Sequence, residues 1–448
     1  MKEILWFRRD LRVRDSALLA YAKGEVLPIF IFDSNILKKL SKEDRRVSFI
    51  FYWIEELKRE LCAMGLDLAI FYGDPVEIFK SLKKQKFSRV LCSVDYDSYA
   101  LERDKKIDKI IPMMRLSDAW LTDPAQTLKS DGTPYKVFTP FYKSLKPLWN
   151  AHKIEEYQPS TYLRKASFDY ENKISVESMG FKWMRLEPFL YQSPFELLEA
   201  FKPKLATYQE DRDYFYLDAT SNISTHLRFG IVSPREIFNY LRPLPQSQFY
   251  IRELFWREFY NTILYHFPQS QTQNFNALKI TWENNEEHFE AWCEGRSGVP
   301  IVDAAMRHLN QTGFMHNRLR MVVASYLTKN LLLDWRKGEA YFASKLMDYE
   351  ASSNIGSWQW AASTGADAVP YFRVFNPYTQ SLKFDKDCLF IKQLLPQLDV
   401  LPTALIHKEY GLKDWAMFIG DYPTLPIVDT KSSRLRAIER FKKSQTPQ

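Results

Sequence analysis

The sequence has little glycine, little cysteine and no long apolar run. It contains only 14 glycines in 448 residues, which excludes collagen-like and glycine-rich low-complexity structures. Its cysteines, Cys62, Cys92, Cys293 and Cys388, lie far apart without a CxxC pair, so we expect a reducing compartment and no disulfide framework. The longest apolar runs, such as 26–32, are too short to span a bilayer, and the charged N-terminus is unlike a signal peptide.

The charge balance is nearly even, and aromatic residues are the one class in excess. The 62 basic and 55 acidic residues leave a net charge of +7, which permits nucleic-acid binding without demonstrating it. Phe, Tyr and Trp together make up 15% of the chain. Such residues fill cores, and they also supply stacking surfaces for flat ligands such as bases or flavins. Composition alone leaves both uses open.

The first 125 residues alternate between short β-branched or aromatic runs and segments of helical period. The runs lie at 4–7, 26–32, 67–73 and 89–94. The helical segments lie at 45–65, 76–84 and 99–111. This alternation predicts a parallel sheet with helices on both faces. No GxGxxG follows the first run, so the usual dinucleotide fingerprint is absent.

The rest of the chain changes character near residue 195. Residues 126–195 are rich in turn dipeptides and predict a connecting segment. Helical period then dominates, at 194–201, 234–241, 249–267, 300–311, 318–333, 339–348 and 390–395. The predicted fold class is α/β plus all-α, with an α/β domain at 1–125, the connecting segment at 126–195 and a helical domain at 196–448. The basic segment 431–448 predicts a solvated helix end.

One predicted helix carries an unusual polar stripe. Glu253, Trp256, Arg257 and Tyr260 recur at helical spacing, opposite an apolar face. A carboxylate, an indole, a guanidinium and a phenol suit a polar cleft that stacks a flat ligand beside a phosphate. A surface stripe with a Glu–Arg pair fits the same spacing, so both interpretations stay open.

Two further segments combine polar and aromatic residues. Asn317, Arg320 and Met321 share a helical face, and an Arg on the inward half of a helix needs an acidic partner. A structural salt bridge would also satisfy Arg320. Trp358 and Trp360 are two residues apart, so on a helix they point about 200° apart and contact different neighbours.

Long motifs carry a resemblance to a known family. They include WFRRDLRVRD at the N-terminus, ELFWREFY at 253–260, PIVDAAMRHLNQTGFMHNRLRM at 300–321 and NIGSWQWAASTGADAVPYFRVFNP at 354–377. Over nearly its whole length, the chain resembles the DNA photolyase/cryptochrome family, and most closely the class I cyclobutane-pyrimidine-dimer photolyases. That resemblance implies a Rossmann-like antenna domain followed by a helical domain that binds FAD.

The resemblance also implies which residues bind FAD, which is active as the reduced FADH⁻. The residues implied to bind the FAD phosphates are Tyr208, Thr220, Ser221, Asn222, Ile223 and Ser224. Tyr250, near the FAD site, replaces a Trp of the family. The residues implied to contact the flavin end are Arg320, Asp348, Glu350 and Asn354. Asp348 would be the partner that Arg320 needs, and Asn354 would face flavin N5. Glu350 stands where close relatives have Asp.

Substrate contacts follow from the same resemblance. Glu253 would steady negative charge on the damaged bases, and Trp256 and Trp360 would stack around a flipped dimer. The other implied DNA contacts are Arg257, Tyr260, Asn317, Arg318, Met321, Arg373 and Gln380. Trp282, Trp335 and Trp358 match the family's electron relay. The implied partner is UV-damaged DNA, and we expect a monomer in the cytoplasm, associated with the nucleoid if bacterial, with no metal and no membrane contact.

Several points stay open at this level. Glu102 matches a folate-binding carboxylate of the antenna site, but Leu101 replaces an Asn and 267–273 lacks the Cys-Lys of folate binders. Methenyltetrahydrofolate, a deazaflavin, a second flavin such as FMN, or no antenna would fit. Repair of (6-4) photoproducts is an alternative, although that branch has a His where Asn317 stands. A cryptochrome-type blue-light photoreceptor is the alternative from another class.

Overall fold

A computed structural model of the chain describes residues 2–150, 153–170 and 173–444. The chain divides into two compact units. The α/β unit comprises Met1–Tyr135, Thr139–Pro203 and Ser221–Pro268, and the helical unit comprises Lys136–Phe138, Lys204–Thr220 and Gln269–Gln448. These units do not follow the segments predicted at 1–125, 126–195 and 196–448, because three helices between 221 and 268 group with the sheet.

The sheet of the α/β unit is parallel. Its strands are β1 (Lys2–Phe7), β2 (Glu25–Asp33), β3 (Ala69–Gly73), β4 (Arg89–Ser93), β5 (Met113–Leu116) and β6 (Arg164–Lys165). The order is β3-β2-β1-β4-β5, and β6 pairs with the start of β2. The four predicted strands are confirmed. The strand β5, whose sequence MMRL has no β-branched or aromatic residue, and the two-residue strand β6 were not predicted.

Helices complete the α/β unit. They are α1 (Ala17–Tyr21), α2 (Ser34–Leu37), α3 (Arg45–Ala63), α4 (Pro75–Lys83), α5 (Ser98–Asp108), α6 (Phe138–Ser144), α7 (Lys146–Asn150), α8 (Pro194–Phe201), α10 (Ser224–Phe229), α11 (Pro234–Leu241) and α12 (Gln248–His266). The first residue of α6, Phe138, belongs to the helical unit. The short helix α9 (Tyr208–Asp211) lies wholly in the helical unit. Asp or Ser side chains cap α3, α4, α5, α8 and α11, which explains why those helices begin within one residue of the predicted position.

A buried ion cluster ties α11 to the loops that follow β1 and β5. It consists of Arg12, Asp15, Asp118 and Arg235, each at most 6% exposed. Arg12 Nη2 lies 2.8 Å from both Asp118 oxygens, and Arg235 Nη2 lies 2.6 Å from Asp118 Oδ1. Arg235 Nε also lies 2.8 Å from Asp15 Oδ2. Each buried charge has an opposite charge beside it, which offsets the cost of removing both from water.

The helical unit has its own core. Its helices are α9, α13 (Glu286–Glu294), α14 (Pro300–Thr312), α15 (Asn317–Ser325), a π-turn (Tyr326–Asn330), α16 (Trp335–Lys345), α17 (Ala351–Ala362), α18 (Pro377–Phe384), α19 (Leu389–Leu394), α20 (Thr403–Ile406) and α21 (Thr430–Ser444). The prediction of one helix over 318–333 is wrong, because the π-turn and a break interrupt it. The predicted helix at 339–348 begins four residues earlier, at Trp335. None of the helices among the described residues is long and apolar enough to cross a membrane.

The π-turn carries a fully buried lysine. Lys329 donates to Ser363 Oγ at 2.7 Å, just past the C-terminus of α17, and its Nζ lies 3.6 Å from the centroid of the Phe441 ring. Burial lowers the pKa of Lys329 to about 7. The groups that contact Nζ are a hydroxyl, the carbonyl of Ala362 and an aromatic ring, none of which carries a negative charge.

We expect Lys329→Met to be more stable than the wild type near pH 6, with an advantage that shrinks as the pH rises. The lowered pKa means that the unfolded chain binds a proton that the folded chain lacks, between about pH 7 and about pH 10. Wild-type stability therefore rises across that window and is lowest below it. Urea unfolding at several pH values measures the difference. Lys413→Met, at an exposed lysine of the same unit, should show no such trend.

Candidate functional site

The α12 stripe is half-buried, as its mixed composition predicts. Glu253, Trp256 and Tyr260 are partly exposed, whereas the opposite face is buried. The Trp256 ring lies 5.8 Å from the Tyr260 ring at an angle of 34°, and 5.8 Å from that of Phe259 at 84°. The helix thus presents a carboxylate, an indole and a phenol on one side, with the two rings supporting each other.

Arg257 lies deeper than the other residues of that stripe. Its side chain is 12% exposed, and its Nη1 donates to Ala119 O at 2.7 Å. The guanidinium lies 4.0 Å from the Trp120 ring and 3.7 Å from Glu258 Oε1. Burial raises the pKa of Glu258, and Arg257 opposes that shift. Arg257 therefore has internal partners, which spacing did not reveal because it fixes the face of a side chain but not its depth. Its contact with DNA stays a prediction.

The α/β unit also holds the hydroxyl-rich segment before α10. Asn222 has a φ of +56°, a left-handed conformation that Asn tolerates, so the chain turns sharply before Ser224 begins α10. Ser221 Oγ lies 2.8 Å from Tyr250 OH, which brings two predicted FAD contacts together. Burial raises the pKa of Tyr250 to about 12. Thr225 Oγ1 is buried and has no hydrogen-bond partner among the described residues, so its hydroxyl suits a ligand contact.

The helical unit brings together the predicted flavin-end residues. Arg320 on α15 donates through Nη2 to Asp348, at 2.9 and 3.1 Å from its two oxygens. Glu350 forms the N-cap of α17, and Asn354 lies one turn further along the same helix. Ser352, between them, has a buried hydroxyl without a partner among the described residues. An Arg–Asp pair, a buried amide and an unpaired hydroxyl are a donor set that suits the edge of a flavin.

A carboxylate that the sequence analysis missed orients the buried amide. Asn354 Nδ2 donates to Glu339 Oε1 at 3.0 Å and to Glu339 O at 3.3 Å. The backbone carbonyl of Glu339 can only accept, so the amide orientation is fixed and Oδ1 points elsewhere. Burial raises the pKa of Glu339. Glu339 follows Trp335 by one turn of α16, and that spacing was the only sequence signal for it.

Three indoles predicted as a relay lie in the helical unit. Trp335 and Trp358 belong to its core, at 0% and 2% exposure, and the half-buried Trp282 packs against that core. A bridge between Glu283 and Leu333 holds the Trp282 segment beside the residues that lead into α16. Trp360 is half-buried while Trp358 is buried, so the predicted divergence of the two side chains is confirmed.

Gly338 lets Trp358 lie against α16. A Cβ at Gly338 would lie 2.2 Å from Trp358 Cη2 and 2.5 Å from Leu327 Cδ2. We therefore expect Gly338→Ala to lower the free energy of unfolding by about 1–3 kcal/mol, as overpacking does. Phe has no atom equivalent to Cη2, so the cost should fall when Gly338→Ala is combined with Trp358→Phe. A double-mutant cycle by urea unfolding measures this coupling, and strict additivity would contradict it.

The remaining predicted DNA contacts vary in exposure. Asn317 and Arg373 are exposed, and Asn317 Nδ2 lies 3.9 Å from Met321 Sδ on the same face of α15. Gln380 is half-buried, and its Oε1 has no partner among the described residues. Arg318 forms an ion pair with Asp213, and its guanidinium lies 4.6 Å from the Phe384 ring. Its charge is therefore already balanced within the unit.

Two other predictions concern the antenna site and metals. Glu102 lies on the solvent side of α5, where it forms a surface ion pair of 2.8 Å with Lys106. That contact gives no support to a folate site, and the role of Glu102 stays a prediction. Within the described parts of the chain, no group of three or more His, Cys, Asp or Glu side chains is placed to hold a metal ion.

A unit built on a parallel sheet and a second, helical unit define a class of protein with two compact units. Two family models match this chain. The model for DNA photolyase matches residues 3–159, and that for the FAD binding domain of DNA photolyase matches residues 250–443. The chain belongs to the DNA photolyase family.

Relatives support the same assignment at full length. The chain is 35% identical to a deoxyribodipyrimidine photo-lyase of Alkalihalophilus pseudofirmus, covering 98% of this chain and 97% of the relative. It resembles an archaeal photolyase from Sulfolobus tokodaii, solved with two FAD molecules, at 32% identity, a TM-score of 0.82 and coverage of 99% and 100%. It also resembles a cryptochrome from Synechocystis, at 26% identity, a TM-score of 0.88 and 98% of each chain.

Proposed function

We propose that this protein repairs cyclobutane pyrimidine dimers in UV-damaged DNA, in a light-driven reaction that uses reduced FAD. The match to the FAD binding domain of DNA photolyase and the full-length relatives named deoxyribodipyrimidine photo-lyase support this proposal. The observation that carries it is the α12 stripe, where Trp256 and Tyr260 form a half-exposed stacking surface beside Glu253. A receptor that only signals has no need of such a surface.

The flavin-end residues would hold FAD, and each has a distinct task. Bound FAD would supply the light absorption and the one-electron chemistry. Asp348 fixes the Arg320 guanidinium, so that its remaining N–H groups stay oriented for a ligand. Glu339 takes up both Asn354 N–H groups, which leaves Oδ1 as the atom that would accept a hydrogen bond from the flavin. An amide oxygen accepts a hydrogen bond without supplying a proton.

The substrate residues would take a dimer that has left the DNA stack. A lesion that already distorts the duplex costs less to unstack, which favours damaged over normal sites. Trp256 on α12 and Trp360 on α17 would each supply a stacking surface, and base–aromatic stacking contributes about 1–3 kcal/mol per base. Glu253 would accept hydrogen bonds from the bases, and the exposed Arg373 would contact phosphate. Phosphate contacts would make the affinity fall as salt rises.

The indoles would reduce FAD after it becomes oxidised. Trp358 and Trp335 are buried and Trp282 is partly exposed, a gradient that supports a route by which electrons would pass from the solvent-exposed side of the unit to its core. The repair reaction itself does not need this route if the flavin is reduced beforehand. Photoreduction of FAD and repair of the dimer can therefore be measured separately.

A light-versus-dark assay on defined lesions tests the proposal. Purified protein with chemically reduced FAD is mixed with oligonucleotides that contain either a cyclobutane dimer or a (6-4) photoproduct. We expect loss of cyclobutane dimers in light only, and a strong reduction of that rate in Trp256→Ala. Repair of the (6-4) lesion instead, or light-induced absorption changes without any repair, would assign the protein to the (6-4) or the cryptochrome alternative.

A further inference from the structure

The middle indole of the proposed relay donates its N–H to an amide. Trp335 Nε1 donates to Asn274 Oδ1 at 2.9 Å. Asn274 Nδ2 in turn donates to Leu278 O at 2.7 Å. An indole N–H can only donate and a carbonyl can only accept, so this pair of bonds fixes which end of the amide faces the ring. The Trp335 side chain is fully buried, so water does not compete for its N–H.

The chemistry of an oxidised indole makes this choice of acceptor significant. Removing one electron from Trp335 leaves a cationic ring whose N–H is far more acidic than that of the neutral indole, and acidic enough to lose its proton to a carboxylate. A carboxylate at the acceptor position would break the N–H bond and form an O–H bond, leaving a neutral indolyl radical beside a carboxylic acid. The neutral radical is a weaker oxidant, so it would no longer draw an electron from Trp282. An amide oxygen is far too weak a base to take the proton.

We propose that Asn274 is a positioning residue of the relay, which keeps oxidised Trp335 protonated so that the electron vacancy moves on to Trp282. This inference rests on the relay proposed above. The Arg336 guanidinium lies 5.0 Å from the Trp335 ring and disfavours positive charge there. When no base can take the indole proton, this repulsion favours transfer of an electron from Trp282 to oxidised Trp335. Arg336 is itself paired with Asp334 at 2.8 Å, which limits but does not abolish this effect.

Three substitutions separate this role from a purely structural one. Asn274→Asp supplies a base at the acceptor position. Asn274→Leu removes the acceptor and supplies no base. Asn276→Asp is the matched control, because Asn276 lies on the same loop and donates to Gly365 O rather than accepting from an indole. It places the same negative charge two residues away.

The primary measurement is transient absorption of photoreduction, with oxidised FAD bound, from pH 6 to pH 9. We expect Asn274→Leu and Asn276→Asp to photoreduce within a few-fold of the wild type. Asn274→Asp should lose most photoreduction, increasingly as its carboxylate ionises at higher pH, and should accumulate a neutral tryptophanyl radical. Equal losses in Asn274→Leu and Asn274→Asp, or normal photoreduction in Asn274→Asp across the pH range, would overturn the proposal.

Two further measurements keep its failure distinct from that of the relay. Trp335→Phe should abolish photoreduction, and if it does not, the relay itself is wrong, whatever Asn274 does. In the apoprotein labelled with ¹⁵N-tryptophan, the indole N–H resonance of Trp335 reports its hydrogen bond without any flavin. That resonance should move in Asn274→Leu and stay in place in Asn276→Asp. An unchanged resonance in Asn274→Leu would show that the bond does not form.

Discussion

Trp358→Phe should abolish photoreduction of oxidised FAD and leave repair by chemically reduced protein close to the wild-type level. Phe is much harder to oxidise than Trp, so a relay that begins at residue 358 cannot start. The measurement is flavin bleaching under light with an external electron donor, followed by dimer repair after chemical reduction. Replacing a buried indole by the smaller phenyl ring should also lower the free energy of unfolding by about 1–3 kcal/mol.

Trp292→Phe is the matched control for that experiment. Trp292 is fully buried in the same core, and its ring centroid lies 6.1 Å from that of Trp358. Its loss should destabilise the protein to a similar degree and spare photoreduction. The opposite outcome, with photoreduction lost in Trp292→Phe and retained in Trp358→Phe, would place the electron route through Trp292. If both variants photoreduce normally, the donor lies outside this core.

Asp118→Asn should lower the free energy of unfolding by about 3–5 kcal/mol, because removing one partner of a buried ion cluster leaves uncompensated charge. Asp118 is fully buried and accepts hydrogen bonds from both Arg12 and Arg235. Its loss leaves Arg235 with the Asp15 carboxylate, and leaves Arg12 with only the more distant Glu236, at 4.0 Å. Urea unfolding followed by circular dichroism measures the change.

An exposed ion pair of the same unit is the control for Asp118. Glu102 and Lys106 are 69% and 59% exposed and pair at 2.8 Å, so Glu102→Gln should leave the free energy of unfolding nearly unchanged. Similar effects for Asp118→Asn and Glu102→Gln would show that burial does not strengthen the cluster. Asp118 is not among the proposed FAD contacts, so FAD binding by the folded variant should persist.

Periodicity predicted the helices and strands well, but it did not predict which of them pack together. The runs at 4–7 and 89–94 are strands, and the helices predicted at 194–201 and 234–241 match α8 and α11 residue for residue. Sequence reasoning nevertheless placed α11 in the helical domain, because its attachment to the sheet depends on Arg235 and Asp15, which are 220 residues apart. A local pattern carries no information about such a pair.

The candidate site shows the same limit at the level of single residues. The spacing predicted that Arg320 needs an acidic partner, the family resemblance implied Asp348, and the pair is present. Glu339 and Asn274 were not anticipated, because each acts through one neighbour brought to it by folding and belongs to no motif. Arg257 shared a helical face with Trp256 but lies deeper, against Trp120, which spacing alone does not reveal.

The division of the chain also determines the order in which parts of the α/β unit become available for folding during synthesis. The α/β unit uses three separate stretches, the last of which ends at Pro268. Its sheet strands are all synthesised by residue 165, yet Arg235 of the ion cluster comes 70 residues later. While the residues between 165 and 235 are being synthesised, the Arg12–Asp118 pair lacks its third partner, Arg235. Synonymous changes that alter elongation speed between codons 165 and 235 should therefore affect the yield of folded protein more than equal changes near the C-terminus.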